Sequence, residues 1–130
     1  MRFGEATLNV SGVDYQRRHD PYLTGAEKWV KSGAVNLLLT HNPDVFPKAA
    51  ELNYDLVLAG HTHGGQVTVE IVDQWVNAGR FFTPFVKGLY HLDRTSLYVS
   101  PGIGTVNLPM RIGALPEIAL VRLRRATAAG

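Results

Sequence analysis

Three of the five histidines stand where an α/β protein keeps its chemistry. His41 ends the run Val35-Asn36-Leu37-Leu38-Leu39-Thr40, and His61 and His63 follow Asp55-Leu56-Val57-Leu58-Ala59-Gly60. Both runs are short and nearly all apolar, so they read as buried strands. Loops at strand ends gather functional groups, and neutral imidazole is the commonest protein ligand for metal ions. A His-x-His pair in extended backbone sends both rings to one side. Gly60, Gly64 and Gly65 around the pair leave room for a ligand near the main chain. The chemistry expected is divalent-metal binding by His41, His61 and His63, with Asn42 and Gly64 of the same loops as substrate contacts. A lone histidine is more often a surface or hydrogen-bonded residue. That holds for His19, in a charged loop, and for His91, in a turn-flanked aromatic stretch.

The elements that must position these residues follow from local pattern. Thr7 to Val10 reads as a short strand. Residues 11–33 read as loop, with a short helix over Thr24 to Lys31 in which Thr24 and Glu27 form a capping box. Asn42-Pro43 is a helix start, cap followed by proline at the first helical position. Phe46, Ala49, Ala50 and Asn53 continue it at helical spacing, and Pro47 should delay the first regular turn. Gln66 to Ile71 alternates, with Val67, Val69 and Ile71 on one face, as a half-buried strand does. Residues 77–88 read as loop with Phe81, Phe82 and Phe85, which together with Trp75 are expected in the core. Leu97 to Ser100 and Ile118 to Leu123 read as two more strands, with turn signals at Pro101-Gly102 and Gly104.

Composition narrows the field. At 130 residues the chain has one domain's length, and 45% apolar with 18% charged residues is a globular balance. With no cysteine, disulfides, thiolate-bound zinc and thiol catalysis are excluded. A net charge of +2 is no footprint for nucleic acid, which needs clustered Lys and Arg. Arg122, Arg124 and Arg125 read as a solvated strand edge, and Arg80 and Arg111 as phosphate contacts, since guanidinium matches phosphate bidentately. No apolar run reaches the length of about 18 residues that a membrane helix needs.

The segment Leu37-Leu38-Leu39-Thr40-His41-Asn42-Pro43-Asp44, with Asp55-Leu56-Val57-Leu58-Ala59-Gly60-His61-Thr62-His63-Gly64-Gly65-Gln66 after it, resembles the calcineurin-like metallophosphoesterases. It is most similar to the bacterial branch reading Ser/Thr-His-Asn-Pro-Asp, then Gly-His-Thr-His-Gly-Gly-Gln. Gly88-Leu89-Tyr90, Tyr98-Val99-Ser100, Gly102-Ile103-Gly104 and Arg111 through Ile118 resemble the same branch, so the likeness runs from Thr7 onward. It implies an α/β/β/α sandwich with a mixed sheet. It also implies two divalent ions (Mn, Fe or Zn) that activate a water and clamp a phosphate ester, monoester or diester, for hydrolysis. In that resemblance His41 and His61 serve one metal and His63 the other.

The same family's Asp-x-His, Gly-Asp-x-x-Asp and Gly-Asn-His-Asp/Glu motifs do not occur here. They lie upstream of the His41 region, and only 40 residues precede His41 in this sequence. Residues 1–130 are therefore expected to be the C-terminal half of the domain, with at most one weakly bound metal and little or no turnover alone. Asp14, Asp44 and Asp55 are the carboxylates available as substitutes for the missing bridge. One alternative is a binding module that completes a separate N-terminal half or self-associates. Another is a zinc hydrolase using the three histidines alone. A cytoplasmic location is expected for the chain as given, with membrane association only through an absent N-terminal segment of the kind family members carry. Substitution of His41, His61 or His63 by Ala is expected to change stability little.

Overall fold

A computed structural model describes residues 1–16, 21–65, 68–71, 74–77, 83–105 and 109–124, the two short segments 68–71 and 74–77 as backbone only. Among the described residues, eight strands are arranged in two sheets. Strands β1 (Arg2–Phe3), β2 (Ala6–Gly12), β3 (Val35–Leu39), β4 (Leu56–Ala59), β7 (Gly88–Leu92) and β8 (Thr95–Val99) form one sheet in the order β1-β2-β3-β4-β8-β7. Strands β5 (Thr68–Ile71) and β6 (Gln74–Asn77) pair antiparallel in a separate hairpin. In the large sheet β2, β3, β4 and β8 are parallel, while β1 and β7 close its edges antiparallel. The sheet is mixed and few helices accompany it, an α/β arrangement as expected.

The four parallel strands put their C-terminal ends on one side. Tyr15 follows β2, His41 follows β3, His61 and His63 follow β4, and Gly102 to Gly104 follow β8. This edge is where open α/β sheets carry ligands.

One face of the sheet holds the core. Leu38, Val57, Ala59, Leu97 and Val99 point into a buried cluster with Leu23, Ala26, Val45, Phe46, Ala49 and Tyr54. The cluster is capped by α1 (Phe46–Glu51), whose Phe46 and Ala49 are buried at i and i+3. Burying a side chain such as Leu38 contributes about 1.5–3 kcal/mol. The Phe46, Phe85 and Tyr90 rings continue the cluster edge to face, with centroids 5.4 and 5.3 Å apart. Phe85 thus meets the expectation of core packing, while Phe81 and Phe82 lie outside the described residues.

The single polar residue in the β3 run has a clear purpose. Asn36 is 4% exposed and saturates its side chain. Its Oδ1 accepts from Asn9 Nδ2 and the Lys31 amide, both at 2.8 Å. Its Nδ2 donates to the Lys31 and Ala34 carbonyls at 3.0 and 3.1 Å. One buried amide so ties the incoming loop to the sheet, and no polar atom of it is left unpaired.

Several local expectations are corrected. The helix expected over Thr24 to Lys31 is a single 3-10 turn, Ala26–Trp29, entered through Gly25 at φ 78°. No capping box forms there, because the Thr24 hydroxyl is spent on the Pro21 carbonyl at 3.1 Å. The helix expected from Asn42 begins instead as a 3-10 turn, Pro43–Val45, and becomes α-helical only at Phe46. Pro47 then sits in the first turn, where it removes no needed N–H. The strand expected at Gln66 to Ile71 is observed over Thr68–Ile71, with Gln66 and Val67 outside the described residues.

The largest correction concerns Ile118 to Leu123. That segment alternates like a strand, yet it forms none, and Ile118 and Leu120 are each 86% exposed. A strand needs a neighbour to complete its hydrogen bonds, and among the described residues this one is given none. Its start is moored by the Glu117 amide on the Gly102 carbonyl at 3.0 Å. The Tyr98 hydroxyl, which donates to the Glu117 carboxylate, is a second tie.

Candidate active site

The loop after β4 is not extended. His61 and His63 both take left-handed backbone, φ 71° and 50°, and the chain turns tightly between them. The Thr62 amide donates to the Gly60 carbonyl at 2.9 Å and the Gly65 amide to the Thr62 carbonyl at 2.8 Å. This corrects the expectation of two rings thrown to one side by extended alternation. Left-handed backbone is costly for residues other than glycine and concentrates at functional sites.

The turn separates the two rings. His61 faces His41, with Nδ1 of the one 2.7 Å from Nε2 of the other and ring centroids 4.6 Å apart. His63 turns to the opposite loop, where its Nδ1 lies 3.1 Å from the Gly104 carbonyl oxygen. The three histidines thus form a pair and a single residue. Among the described residues no group of three or more His, Asp or Glu side chains stands close enough together to hold one metal ion.

Tyr15 is the neighbour that sequence reading missed. Its ring lies 5.5 Å from His41 and 5.8 Å from His61, centroid to centroid. The only advance signal is its place just past the end of a parallel strand. Burial pushes the His61 imidazole below its usual pKa, and the nearby His41 pushes in the same direction. The Asp44 carboxylate pulls the other way but does not prevail. Burial and His41 together favour the neutral imidazole, the form that binds metal.

The substitute carboxylates are engaged elsewhere. Asp14 Oδ1 accepts from the Tyr15 amide at 2.6 Å, and Asp44 Oδ1 accepts from the Thr83 hydroxyl. Asp55 stands at the far end of β4, bound to the Asn36 amide and to Arg94, each at 2.8 Å. Asn42 is buried, and its amide donates to the Gln16 carbonyl. Gly64 is buried at φ 65°, where a Cβ would come 3.0 Å from Pro101 Cβ. Arg111 is no phosphate contact here, because its guanidinium donates to the carbonyls of Pro101, Gly104, Ala114 and Leu115. Arg80 and His19 lie outside the described residues.

At 2.7 Å one of the two facing ring nitrogens donates its N–H to the other, so the pair would offer two lone pairs to a divalent transition ion only once that proton moves to the same ring's other nitrogen. His63 adds a third nitrogen a turn away, since a carbonyl on Nδ1 leaves the lone pair on Nε2. The donor set fits part of a metal centre.

No family model and no solved structure matches the chain. Curated relatives do. The chain is 30% identical over 112 residues to the uncharacterized metallophosphoesterase YkoQ of Bacillus subtilis, covering 85% of this chain and 41% of that protein. It is 30% identical over 122 residues to the uncharacterized metallophosphoesterase YkuE of the same organism, covering 90% and 41%. To the phosphodiesterase YaeI of Escherichia coli it is 34% identical over 92 residues, covering 67% and 32%. The chain spans about two fifths of the length of the first two relatives. With the histidine-bearing loops at the ends of β3 and β4, these likenesses make the chain a member of the calcineurin-like metallophosphoesterase family.

Proposed function

We propose that this chain supplies the histidine-bearing, C-terminal portion of a metal-dependent phosphoesterase site. His41 and His61 are the nitrogen ligands of one divalent ion, and His63 is a ligand of a second. Bound there, the ions supply Lewis acidity and a water acidified towards a pKa of about 7. The chain's own work is to hold the rings. Parallel pairing of β3 and β4 sets His41 beside His61, and Tyr15 packs over both. Manganese, iron and zinc all suit imidazole with carboxylate. The substrate is a phosphomonoester or phosphodiester.

The observation that carries this reading is the 2.7 Å approach of His61 Nδ1 to His41 Nε2 across two neighbouring strand ends. Two dications without an anionic bridge repel each other strongly. The bridging carboxylate is therefore assigned to polypeptide outside this sequence, and the chain alone is expected to hydrolyse bis-p-nitrophenyl phosphate little or not at all. Robust turnover by the purified chain with two ions bound would overturn the reading.

A second reading, an assembly module, has its own observation. The sheet face opposite the core is apolar and partly open, with Leu37 covered but Val35 44% and Leu39 43% exposed and Val10 and Leu89 also uncovered. Since the relatives extend well beyond the matched part, the occupant proposed for this face is the complementary portion of such a polypeptide. Dimerisation of the chain by itself, without activity, would point instead to a second copy.

A further inference from the structure

Arg111 has an unusual set of partners for an arginine near a phosphoesterase site, because its contacts are to backbone. Nε donates to the Gly104 carbonyl at 3.0 Å and Nη2 reaches the same oxygen. Nη2 also donates to the Pro101 carbonyl at 2.6 Å, and Nη1 to those of Ala114 and Leu115 at 3.3 and 3.4 Å. One side chain thereby gathers the loop after β8 and the returning segment at 114–115. That assembly rests against the histidine turn, since a Cβ on Gly64 would touch Pro101 and Ala114, and one on Gly104 would lie 3.7 Å from His63 Cε1.

The oxygen that Arg111 holds is also the one beside His63 Nδ1, at 3.1 Å. A carbonyl oxygen only accepts, so this contact requires a proton on Nδ1. In neutral imidazole that leaves the lone pair on Nε2. Second partners of this kind set which nitrogen of a metal-binding histidine is available and how its ring is aimed.

We propose that Arg111 is a positioning residue for His63. By fixing the Gly104 carbonyl it holds the imidazole as the Nδ1–H tautomer and presents Nε2 to a divalent ion. The assignment rests on His63 being a metal ligand, as proposed above, and adds the residue that aims it. Arg111 touches neither metal nor substrate in this role.

The test is long-range proton–nitrogen NMR of the His63 side chain in the metal-free, nitrogen-15-labelled chain, at a pH where imidazoles are neutral. The wild type is expected to show Nδ1 protonated. Arg111→Gln is expected to show a mixture shifted towards the Nε2–H form, and Arg111→Lys, which keeps a charge and a donor, an intermediate. Should Arg111→Gln lose its amide dispersion, the wild-type tautomer and Arg111→Lys still decide the matter. A wild-type His63 protonated on Nε2, or an unchanged Nδ1–H state in both variants, would overturn the proposal. Zinc titration of the same samples separates it from the reading it rests on. His63 signals of the wild type are expected to move, and to need about 10–100-fold more zinc in Arg111→Gln. No response of wild-type His63 to zinc, with its tautomer as expected, would refute His63 as a ligand while leaving the Arg111 tie in place as structure alone.

Discussion

His41 and His61 meet because residues that follow two adjacent parallel strands must share an edge, and that much was legible from two apolar runs each ending in histidine. The direction of each ring was not legible. It depends on left-handed backbone at His61 and His63, which the flanking glycines permit but do not dictate. Tyr15 and Arg111 were legible only as residue types, since what they touch comes from loops distant in sequence. Two predictions belong at this scale. Because burial and His41 lower the His61 pKa, His61 should titrate below the ordinary value of 6.5 when followed by NMR. The unfolded chain then binds more protons between the folded value and 6.5. The stability held by neutral His61 is thus intact above that window and falls as pH drops through it. A His61 midpoint above 6.5 would contradict the packing described. Gly64→Ala should cost about 1–3 kcal/mol in urea unfolding, from left-handed strain alone. Its methyl would also press on Pro101 at 3.0 Å. A neutral outcome would mean the turn can relax.

At the scale of elements, strands buried on the core face were the most legible. Leu37-Leu38-Leu39 and Leu56-Val57-Leu58 leave little alternative to buried sheet. The strand β7 was missed because Gly88-Leu89-Tyr90-His91-Leu92 lies at an edge and its pattern is mixed. Ile118 to Leu123 was misread for the opposite reason. Its pattern is that of a strand, but pattern reports only what a segment would bury if a partner were present. Asn36 shows a polar residue serving an element. Asn36→Ala would strand the Lys31 amide and the Lys31 and Ala34 carbonyls, while Asn9 Nδ2 keeps its bond to the Trp29 carbonyl, so a loss of about 2–3 kcal/mol is expected. Thermal or urea unfolding measures it. A change within about 0.5 kcal/mol, as at ordinary surface sites, would mean that residues 31–34 are held by other means.

Among the described residues, one side of the sheet is a packed core and the other is only partly covered, with Leu37 buried and its neighbours Val35 and Leu39 exposed. Val10, Val35, Leu39 and Leu89 on that face, with Leu115, Ile118 and Leu120 in the following segment, are exposed together. Exposed apolar surface of this extent marks an interaction site more often than free surface. The relatives, of which this chain matches about two fifths, have the length to cover it. At the strand-end edge His41 and His61 are paired, while the described carboxylates Asp14, Asp44 and Asp55 accept from Tyr15, Thr83, Asn36 and Arg94. Zinc titration by calorimetry, on the wild type and on His41→Ala and His61→Ala separately, tests the central claim most directly. The expected result is an ion bound weakly by the His41–His61 pair in the wild type, with a separate and weaker response at His63, and loss of the paired site in either variant with the fold retained in both. Zinc affinity unchanged by both substitutions, or no zinc binding by the wild type, would contradict it.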